Sequence, residues 1–353
     1  MKVIISGYYG FDNTGDEAIL KSMIIALKTE LKDIDIVVLS DNPQKTKKDY
    51  CINSINRWNL KDIYLALKES DGLISGGGSL LQDITSSRNI IYYTFIIGIA
   101  RFLNKPVFIY SQGIGPINKK INKKIVKYFL NKVQYISIRD KISLNVLQSI
   151  GVNKMIRIVP DPVMGLEYKT KESNHYKDYI IINIREWKYK DIYMNQISKF
   201  CNEISKFGIE IKLLIMHESL DSSITKELSK MILSETEIIS DEFSIEEKLK
   251  YISEAKLVIG MRLHSLIFAG NVGTPMIGIS YDPKVDSYLD SIGQPCIRNI
   301  DKELDYKELL KKAMYMIENN EYLRKEILKN TKELKVAAKL TASMAIDIFK
   351  TYN

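Results

Sequence analysis

The sequence predicts an α/β protein built from two Rossmann-like domains, and three observations support this fold class. Short apolar runs alternate with segments of helical periodicity along the chain, a pattern typical of parallel, doubly wound sheets. A length of 353 residues suits two domains of about 150–180 residues each. The alternation lapses once, around Asp161–Tyr176, where prolines, a glycine and many polar residues indicate an interdomain linker.

In the first half, predicted strands and helices alternate. Strands are predicted at Val3–Ser6, Ile34–Ser40, Gly72–Ser75, Pro106–Ser111, Tyr135–Ile138 and Ile156–Val159. Helices are predicted at Glu17–Leu31, Leu60–Ser70, Leu80–Leu103, Ile117–Val133 and Lys141–Ile150.

The alternation resumes after the linker. Strands are predicted at Tyr179–Ile184, Glu210–Met216, Lys256–Met261 and Pro275–Ser280. Helices are predicted near Asp191–Phe207, Ser222–Leu233, Ile245–Ser253, Ser265–Asn271, Lys284–Ile292 and Leu304–Glu318, with a further helix or helix pair from Tyr322 onward.

These elements predict an N-terminal domain at 1–165, a C-terminal domain at 176–335, and a terminal helix at 336–353 that packs back on the N-terminal domain. Two Rossmann-like domains that face each other across a cleft describe the GT-B architecture. In α/β folds ligands bind at the carboxyl ends of the strands, so we expect both domains to contribute to one site.

Composition limits the class of protein. A hydrophobic content of 45% with 27% charged residues is typical of a soluble globular chain. The apolar segment Asn89–Ala100 is shorter than the roughly 18 residues of a membrane span, so a buried helix is predicted there. The three cysteines fit no disulfide or metal spacing, and acidic residues near the N-terminus argue against an export signal. We therefore expect a cytoplasmic protein that needs no metal or cofactor.

A net charge of +8 draws attention to one basic segment, Pro116–Val133. Its apolar residues recur at four-residue steps, and five lysines occupy the other face. Such a helix either lies on an anionic membrane surface or faces the core with a solvated lysine side. Nucleic acid is not an expected partner, because aromatic residues are not interleaved along the lysines but occur only at Tyr128 and Phe129.

The second half holds the strongest candidate chemistry. Arg262 and His264 lie where an apolar strand gives way to an apolar helix, and Lys284 follows the next apolar strand. Two permanent cations beside a group that titrates near neutrality predict an anionic ligand and a proton transfer. A buried structural histidine is the alternative interpretation of His264.

The loop that joins the first strand to the first helix carries Asn13, Asp16 and Glu17. Two carboxylates at a helix start repel a phosphate but suit hydroxyl groups, so this loop is assigned to a sugar-like acceptor. A structural turn and cap is the alternative.

A triple glycine, Gly76, Gly77 and Gly78, followed by Ser79, lies after a predicted strand and is interpreted as a backbone cradle for the same ligand. Gln112, after the next central strand, offers an amide to hydroxyl groups, although a strand-to-helix turn also explains its position.

Three further residues are placed at predicted strand ends. Arg139 and Arg185 occupy equivalent positions in the two halves, where each would either bind an anion or pair with a carboxylate. His217 follows another strand of the second half.

With these residues identified, the chain resembles the polysaccharide pyruvyl transferases, of the CsaB-like type that modifies secondary cell-wall polymers. Seven blocks in the same order carry the resemblance, at Gly7–Leu20, Ser75–Asp83, Tyr110–Pro116, Ser137–Asp140, Val159–Val163, Met261–Ala269 and Ile279–Asp286. The family is similar to GT-B glycosyltransferases in fold but uses phosphoenolpyruvate as the donor.

The resemblance implies roles for these residues. Arg139, Arg262 and Lys284, with Ser280 and Tyr281, would bind phosphoenolpyruvate, and His264 would protonate its methylene carbon. The acceptor implied is a lipid-diphosphate-linked oligosaccharide that contains N-acetylmannosamine, which would place the protein at the inner face of the membrane. Block similarity is weaker around His217, where the family has a fuller PMH sequence and this chain has IMH.

Two other functions compete with this hypothesis. A GT-B nucleotide-sugar glycosyltransferase would have the same fold with a different donor, and it typically requires a carboxylate or a ribose-binding residue in the second half. A non-catalytic carbohydrate-binding protein would keep the fold without the chemistry, but the set Arg262, His264 and Lys284 argues against it.

Overall fold

The computed structural model of the protein describes residues 1–84, 86–168, 176–300 and 304–352. It divides into two compact units, one of Met1–Leu166 with Leu334–Asn353 and the other of Glu167–Glu333. Each unit contains a parallel sheet with helices, so the predicted α/β class is confirmed. Part of the predicted linker, 169–175, lies outside the described residues.

The first unit contains an eight-stranded parallel sheet. Its strands are β1 Lys2–Ser6, β2 Asp35–Ser40, β3 Asn53–Asn56, β4 Gly72–Ser75, β5 Gly78–Leu81, β6 Val107–Ile114, β7 Tyr135–Ile138 and β8 Ile156–Ile158. Their order is β3-β2-β1-β4-β6-β7-β8, with β5 paired to β6. The helices are α1 Thr14–Glu30, α2 Pro43–Tyr50, α3 Leu60–Glu69, α4 Ser87–Phe102, α5 Lys120–Leu130 and α6 Lys141–Ser149.

The second unit contains a six-stranded parallel sheet in the order β11-β10-β9-β12-β13-β14. Its strands are β9 Tyr179–Asn183, β10 Glu210–Leu214, β11 Thr236–Ile239, β12 Leu257–Gly260, β13 Met276–Ile279 and β14 Cys296–Ile297. Its helices are α7 Lys190–Ile204, α8 Glu218–Met231, α9 Ile245–Glu254, α10 Leu263–Val272, α11 Pro283–Ile292 and α12 Tyr306–Glu318, and α13 follows at Asn320–Tyr352.

The central strands are formed by β-branched apolar runs that are buried on both faces of each sheet. Ile180, Ile181 and Ile182 of β9 have at most 1% of their surface exposed. Burial of each such side chain contributes about 1.5–3 kcal/mol, which makes the strands the most strongly determined elements.

Several short elements were missed by the sequence prediction. Strands β3 and β11 have the sequences NSIN and TEII, which contain too few apolar residues to form the apolar run by which the other strands were predicted. The helix predicted at Leu80–Leu103 is wrong at its start: Gly78–Leu81 forms β5, and α4 begins only at Ser87.

Within the basic segment 116–133, residues 120–130 form α5, and one side of this helix packs into the core. Val126 and Leu130 are fully buried, while Ile121 is exposed. Among the described residues, no helix has both the length and the apolar character needed to cross a lipid bilayer.

Both sheets reverse their winding at one point, between β1 and β4 in the first and between β9 and β12 in the second. Crevices at the carboxyl ends of such strands are where α/β folds bind ligands. Each unit therefore has its own candidate ligand-binding edge, which is formed by the carboxyl ends of its strands and is called the first or the second edge below.

Candidate functional site

Arg262 lies at the candidate edge of the second unit, directly between β12 and α10. Its backbone N–H donates to the Asn183 Oδ1 at the end of β9, at 3.0 Å. Its Nε lies 3.1 Å from both carboxylate oxygens of Asp221, and its Nη2 donates to the same group. Asp221 has no exposed surface, so this bidentate pair is a buried ion pair that fixes the guanidinium.

Asp221 was missed by the sequence analysis, although it lies four residues after His217 in the first turn of α8. Its Oδ2 also accepts the backbone N–H groups of His217, at 3.1 Å, and Met216. One carboxylate therefore holds the end of β10, the start of α8 and Arg262 together.

His217 precedes α8 and belongs to this cluster. Its Nδ1 lies 3.1 Å from the Ser219 hydroxyl. Burial, and then the nearby Arg262 charge, lower the pKa of His217. The imidazole is therefore neutral at physiological pH and is better suited to hydrogen bonding than to holding an anion by charge.

His264 is the second residue of α10 and is half-buried. It lies in the first turn of the helix, where backbone N–H groups are not used within the helix and the helix dipole is positive. A negatively charged ligand beside this imidazole would therefore be stabilised by the helix as well as by side chains.

Lys284, Ser280 and Tyr281 follow β13, the neighbour of β12 in the sheet. Asp282 caps α11 by accepting the Lys284 backbone N–H at 3.1 Å, and it also lies 3.0 Å from the Lys284 Nζ. The buried Ser280 hydroxyl donates to the Asp282 carbonyl oxygen at 3.1 Å. Lys284 is thus partly neutralised by the residue that starts its own helix.

Arg185 differs from the other cations of this edge. Its Nη1 donates to the Tyr281 hydroxyl at 2.8 Å, and its guanidinium carbon lies 4.5 Å from the Tyr281 ring centroid and 5.3 Å from that of Trp187. Within the described ranges, no carboxylate lies at ion-pair distance from it. Two aromatic faces therefore hold a positive charge that no acid in the described part of the chain neutralises.

The edge of the first unit is built differently. Asn13 caps α1 by accepting the Gly15 N–H at 3.1 Å, and its amide donates to Asp16 at 2.6 Å. Glu17 accepts the Gly10 N–H at 2.8 Å and the Tyr50 hydroxyl at 2.7 Å. Burial raises the pKa of Glu17. These residues hold the loop between β1 and α1 in place, and their predicted role toward an acceptor stays a prediction.

The triple glycine packs beneath this loop. A side chain at Gly76 would place its first carbon 2.2 Å from the Tyr9 hydroxyl, and one at Gly77 would lie 2.9 Å from Ile19. Gly78 has φ +88°, a backbone conformation that other residues rarely adopt, and lies beside the Asp16 carboxylate. Close packing therefore accounts for at least two of the three glycines without a ligand.

Arg139 follows β7, and its guanidinium group contacts two side chains, one acidic and one hydroxyl-bearing. Its Nη1 lies 3.1 Å from the Asp161 carboxylate, and its Nη2 donates to the Ser79 hydroxyl at 2.8 Å. The structure thus brings together two predicted site residues, Arg139 and Ser79, and adds Asp161, which the sequence analysis missed.

Gln112 has no exposed surface and donates to the Ser75 hydroxyl at 2.7 Å. In this arrangement it contacts the sheet interior, so its predicted contact with a ligand would require the side chain to move.

The two edges support different chemistry. The second edge combines cations, a helix start and a titratable imidazole, a set whose chemistry is suited to binding an anion and moving a proton. The first edge offers carboxylate, amide and hydroxyl groups, which suit the hydroxyls of a sugar. Within the described residues, no group of three or more His, Cys, Asp or Glu side chains is arranged to hold a metal ion.

Comparisons with solved structures establish the fold type. The Anabaena protein Alr3699/HepE, solved with UDP and glucose, has a TM-score of 0.65 at 12% identity, covering 99% of this chain and 100% of that one. A putative UDP-N-acetylglucosamine 2-epimerase from Listeria monocytogenes has a TM-score of 0.69 at 11% identity, covering 99% and 96%. The GT-B-like fold class is therefore confirmed.

Comparisons of sequence identify the family. The amylovoran biosynthesis protein AmsJ of Erwinia amylovora is 21% identical over 98% of this chain and 99% of that protein. A family model described as polysaccharide pyruvyl transferase matches residues 13–283, well over half of the chain. The chain is thus a transferase and belongs to the polysaccharide pyruvyl transferase family.

Proposed function

We propose that this enzyme transfers the pyruvyl group of phosphoenolpyruvate to a sugar, forming a cyclic pyruvate ketal and releasing phosphate. The observation that carries the proposal is the second edge, where Arg185 has no carboxylate partner among the described residues and lies one strand from Arg262 and His264. Phosphoenolpyruvate carries a phosphate and a carboxylate, so it needs more than one cation. Arg185, Arg262 and Lys284 would supply them in the second unit.

In the proposed reaction His264 gives a proton to the methylene carbon of phosphoenolpyruvate, which makes C2 electrophilic. A sugar hydroxyl attacks C2 and loses its proton to the vacated imidazole, giving a tetrahedral phosphoketal. Phosphate then leaves with the electron pair of its C2–O bond, and a second hydroxyl of the same sugar closes the ketal as its proton passes to phosphate. The arginine and lysine charges stabilise the leaving phosphate.

For the acceptor, we propose a lipid-diphosphate-linked oligosaccharide that contains N-acetylmannosamine, as in CsaB-like enzymes, at the cytoplasmic face of the membrane. The seven sequence blocks support this subtype. The carboxylate and amide groups of Asn13, Asp16 and Glu17 suit sugar hydroxyls better than a second anion.

Phosphate release from phosphoenolpyruvate tests the proposal. With purified protein and the lipid-linked acceptor, we expect phosphate to appear and the product mass to rise by one pyruvate ketal. Reactions without acceptor, and reactions with His264→Ala, serve as controls and should release only background phosphate.

Thermal shift with phosphoenolpyruvate against a panel of nucleotide sugars separates the competing functions. Stabilisation by phosphoenolpyruvate alone supports pyruvyl transfer. Stabilisation by a nucleotide sugar, without phosphate release from phosphoenolpyruvate, would establish a glycosyltransferase instead. Binding of sugars with no turnover of either donor would leave a carbohydrate-binding protein.

A further inference from the structure

The outward face of α4 carries large apolar side chains that no other part of the described chain covers. Ile91, Phe95 and Phe102 recur at four and seven residues, which places them on one side of the helix, and they are 55%, 46% and 78% exposed. The opposite side of α4 is buried, with Ile96 and Ile97 in the core. The helix predicted to be buried is therefore apolar on both sides, and only one side is used by the fold.

The neighbouring helix α5 places a basic surface beside this row. The two helices pack together: the Asn122 amide lies 3.1 Å from the Ser87 hydroxyl, and Phe129 packs against Gly98. The exposed residues of α5 include Lys120, Lys123, Lys124 and Lys127, with Ile121 and Tyr128 among them. The segment 116–133 has no acidic residue. The α4–α5 face is thus an exposed apolar row bordered by lysines, and neither helix contains an acidic residue.

We propose that the α4–α5 face, defined by these α4 and α5 residues, docks on the surface of an anionic lipid bilayer. Aromatic and aliphatic side chains enter the boundary between headgroups and acyl chains, while lysines are attracted to anionic headgroups. A second copy of this chain fits the face less well, because a symmetric contact would place the lysine rows of both copies against each other. The inference deepens the proposed function, since a lipid-linked acceptor is presented at such a surface.

Flotation with lipid vesicles tests the inference on the full chain. Wild-type protein should bind vesicles that contain phosphatidylglycerol and bind pure phosphatidylcholine vesicles much more weakly. Binding should also fall in about 1 M salt, where the Debye length is about 3 Å. The triple variant Lys120→Gln, Lys124→Gln, Lys127→Gln should bind anionic vesicles about a hundredfold more weakly. The double variant Phe95→Ser, Phe102→Ser should lose at least tenfold.

Matched controls come from the second unit. Phe207→Ser removes an aromatic side chain of similar exposure, and the triple variant Lys230→Gln, Lys311→Gln, Lys312→Gln removes the same charge. Both controls should bind vesicles like wild type, and circular dichroism should show all variants folded. Equal binding by the α4–α5 variants and wild type would overturn the proposal. So would dimerisation in sedimentation velocity that the phenylalanine double variant abolishes without lipid.

Phosphate release with a water-soluble acceptor separates this proposal from the proposed function. The α4–α5 variants should keep wild-type turnover of that acceptor. Vesicle binding without phosphate release would refute pyruvyl transfer and support the membrane-docking surface. Phosphate release without vesicle binding would support pyruvyl transfer and refute the docking surface.

Discussion

The two units have the same winding, yet the carboxyl edges of their sheets differ in charge. In the first unit Arg139 is paired with Asp161, and Glu17 is held by Tyr50 and Gly10. In the second unit Arg185 carries a charge that no described carboxylate neutralises. Arg185 follows β9, the strand beside the switch point, whereas Arg139 follows β7, the third strand from β1, so the predicted equivalence of the two positions is wrong. The two carboxyl edges favour different ligands because loop residues, not the sheet, set the local charge.

Two arginines within the second unit also differ in the kind of side chain that contacts the guanidinium group. Arg262 is fixed by the buried Asp221, whereas Arg185 rests on the Tyr281 and Trp187 rings. A carboxylate partner orients a guanidinium but cancels much of its charge, while an aromatic partner orients it and leaves the charge available. The contrast between the edges can thus be tested one residue at a time.

Replacement of His264 should have the largest effect. If the second edge performs the chemistry, His264→Ala should lower kcat by about a hundredfold to ten-thousandfold and leave donor binding nearly unchanged. His217→Ala is the matched control, because its imidazole lies at the same edge beside the Ser219 hydroxyl, while its backbone N–H donates to Asp221. Phosphate release and the donor Kd measure the two effects, and near-normal kcat in His264→Ala would contradict the assignment.

Among these variants, replacement of Asp221 should cause the largest decrease in the free energy of unfolding. Asp221→Ala leaves Arg262 without its partner and two backbone N–H groups without an acceptor, so the second unit should lose about 3–5 kcal/mol of unfolding free energy. Trp187 fluorescence in a Trp58→Phe background reports this unit during urea unfolding, since the chain has two tryptophans.

The exposed ion pair of Lys206 and Glu203 provides the control for that experiment. Glu203→Ala should cost less than about 1 kcal/mol. If the two variants lost equal stability, the view of Asp221 as the residue that organises the second edge would be wrong.

Comparison of Arg185 with Arg139 tests the difference between the edges directly. Arg185→Met should raise the donor KM about 10- to 100-fold while the unfolding free energy stays within about 0.5 kcal/mol of wild type. Arg139→Met should instead lower the stability of the first unit by about 3 kcal/mol, because it leaves Asp161 unpaired. Steady-state kinetics measures the donor KM. Trp187 fluorescence in a Trp58→Phe background reports the second unit for Arg185→Met, and Trp58 fluorescence in a Trp187→Phe background reports the first unit for Arg139→Met. An unchanged KM in Arg185→Met would remove the main support for an anion at the second edge.

The smallest expected effects concern the pH dependence of stability, to which Glu17 and His217 should contribute with opposite signs. Burial raises the pKa of Glu17, so the folded protein holds that proton more tightly than the unfolded chain. Stability relative to Glu17→Gln should therefore fall as pH rises above about 4.5. The pKa of His217 is lowered, so stability relative to His217→Gln should be greatest above about 6.5 and fall as pH drops below it. Urea unfolding across this pH range measures both differences, and slopes of the same sign would contradict them.

The sequence by itself determined the fold class and the edges of the sheets. Short β-branched runs such as Ile180–Ile182 are typical of strands buried on both faces of a parallel sheet, and residues that follow such strands lie at the carboxyl edge. For that reason Arg139, Arg185, Arg262 and His264 were placed at strand ends correctly. Short polar strands such as β3 escaped prediction, because their stability comes from pairing with β2 and not from their own pattern.

Only the tertiary structure decided which charges are neutralised. Asp221 is 41 positions from Arg262 and Asp161 is 22 positions from Arg139, and neither spacing has a local signature. The order of strands in each sheet brings these loops together, and hydrogen-bond geometry then selects the partner. Periodicity records which side of an element is buried, whereas the pairing of charges across loops depends on distances that exist only after the sheet has formed.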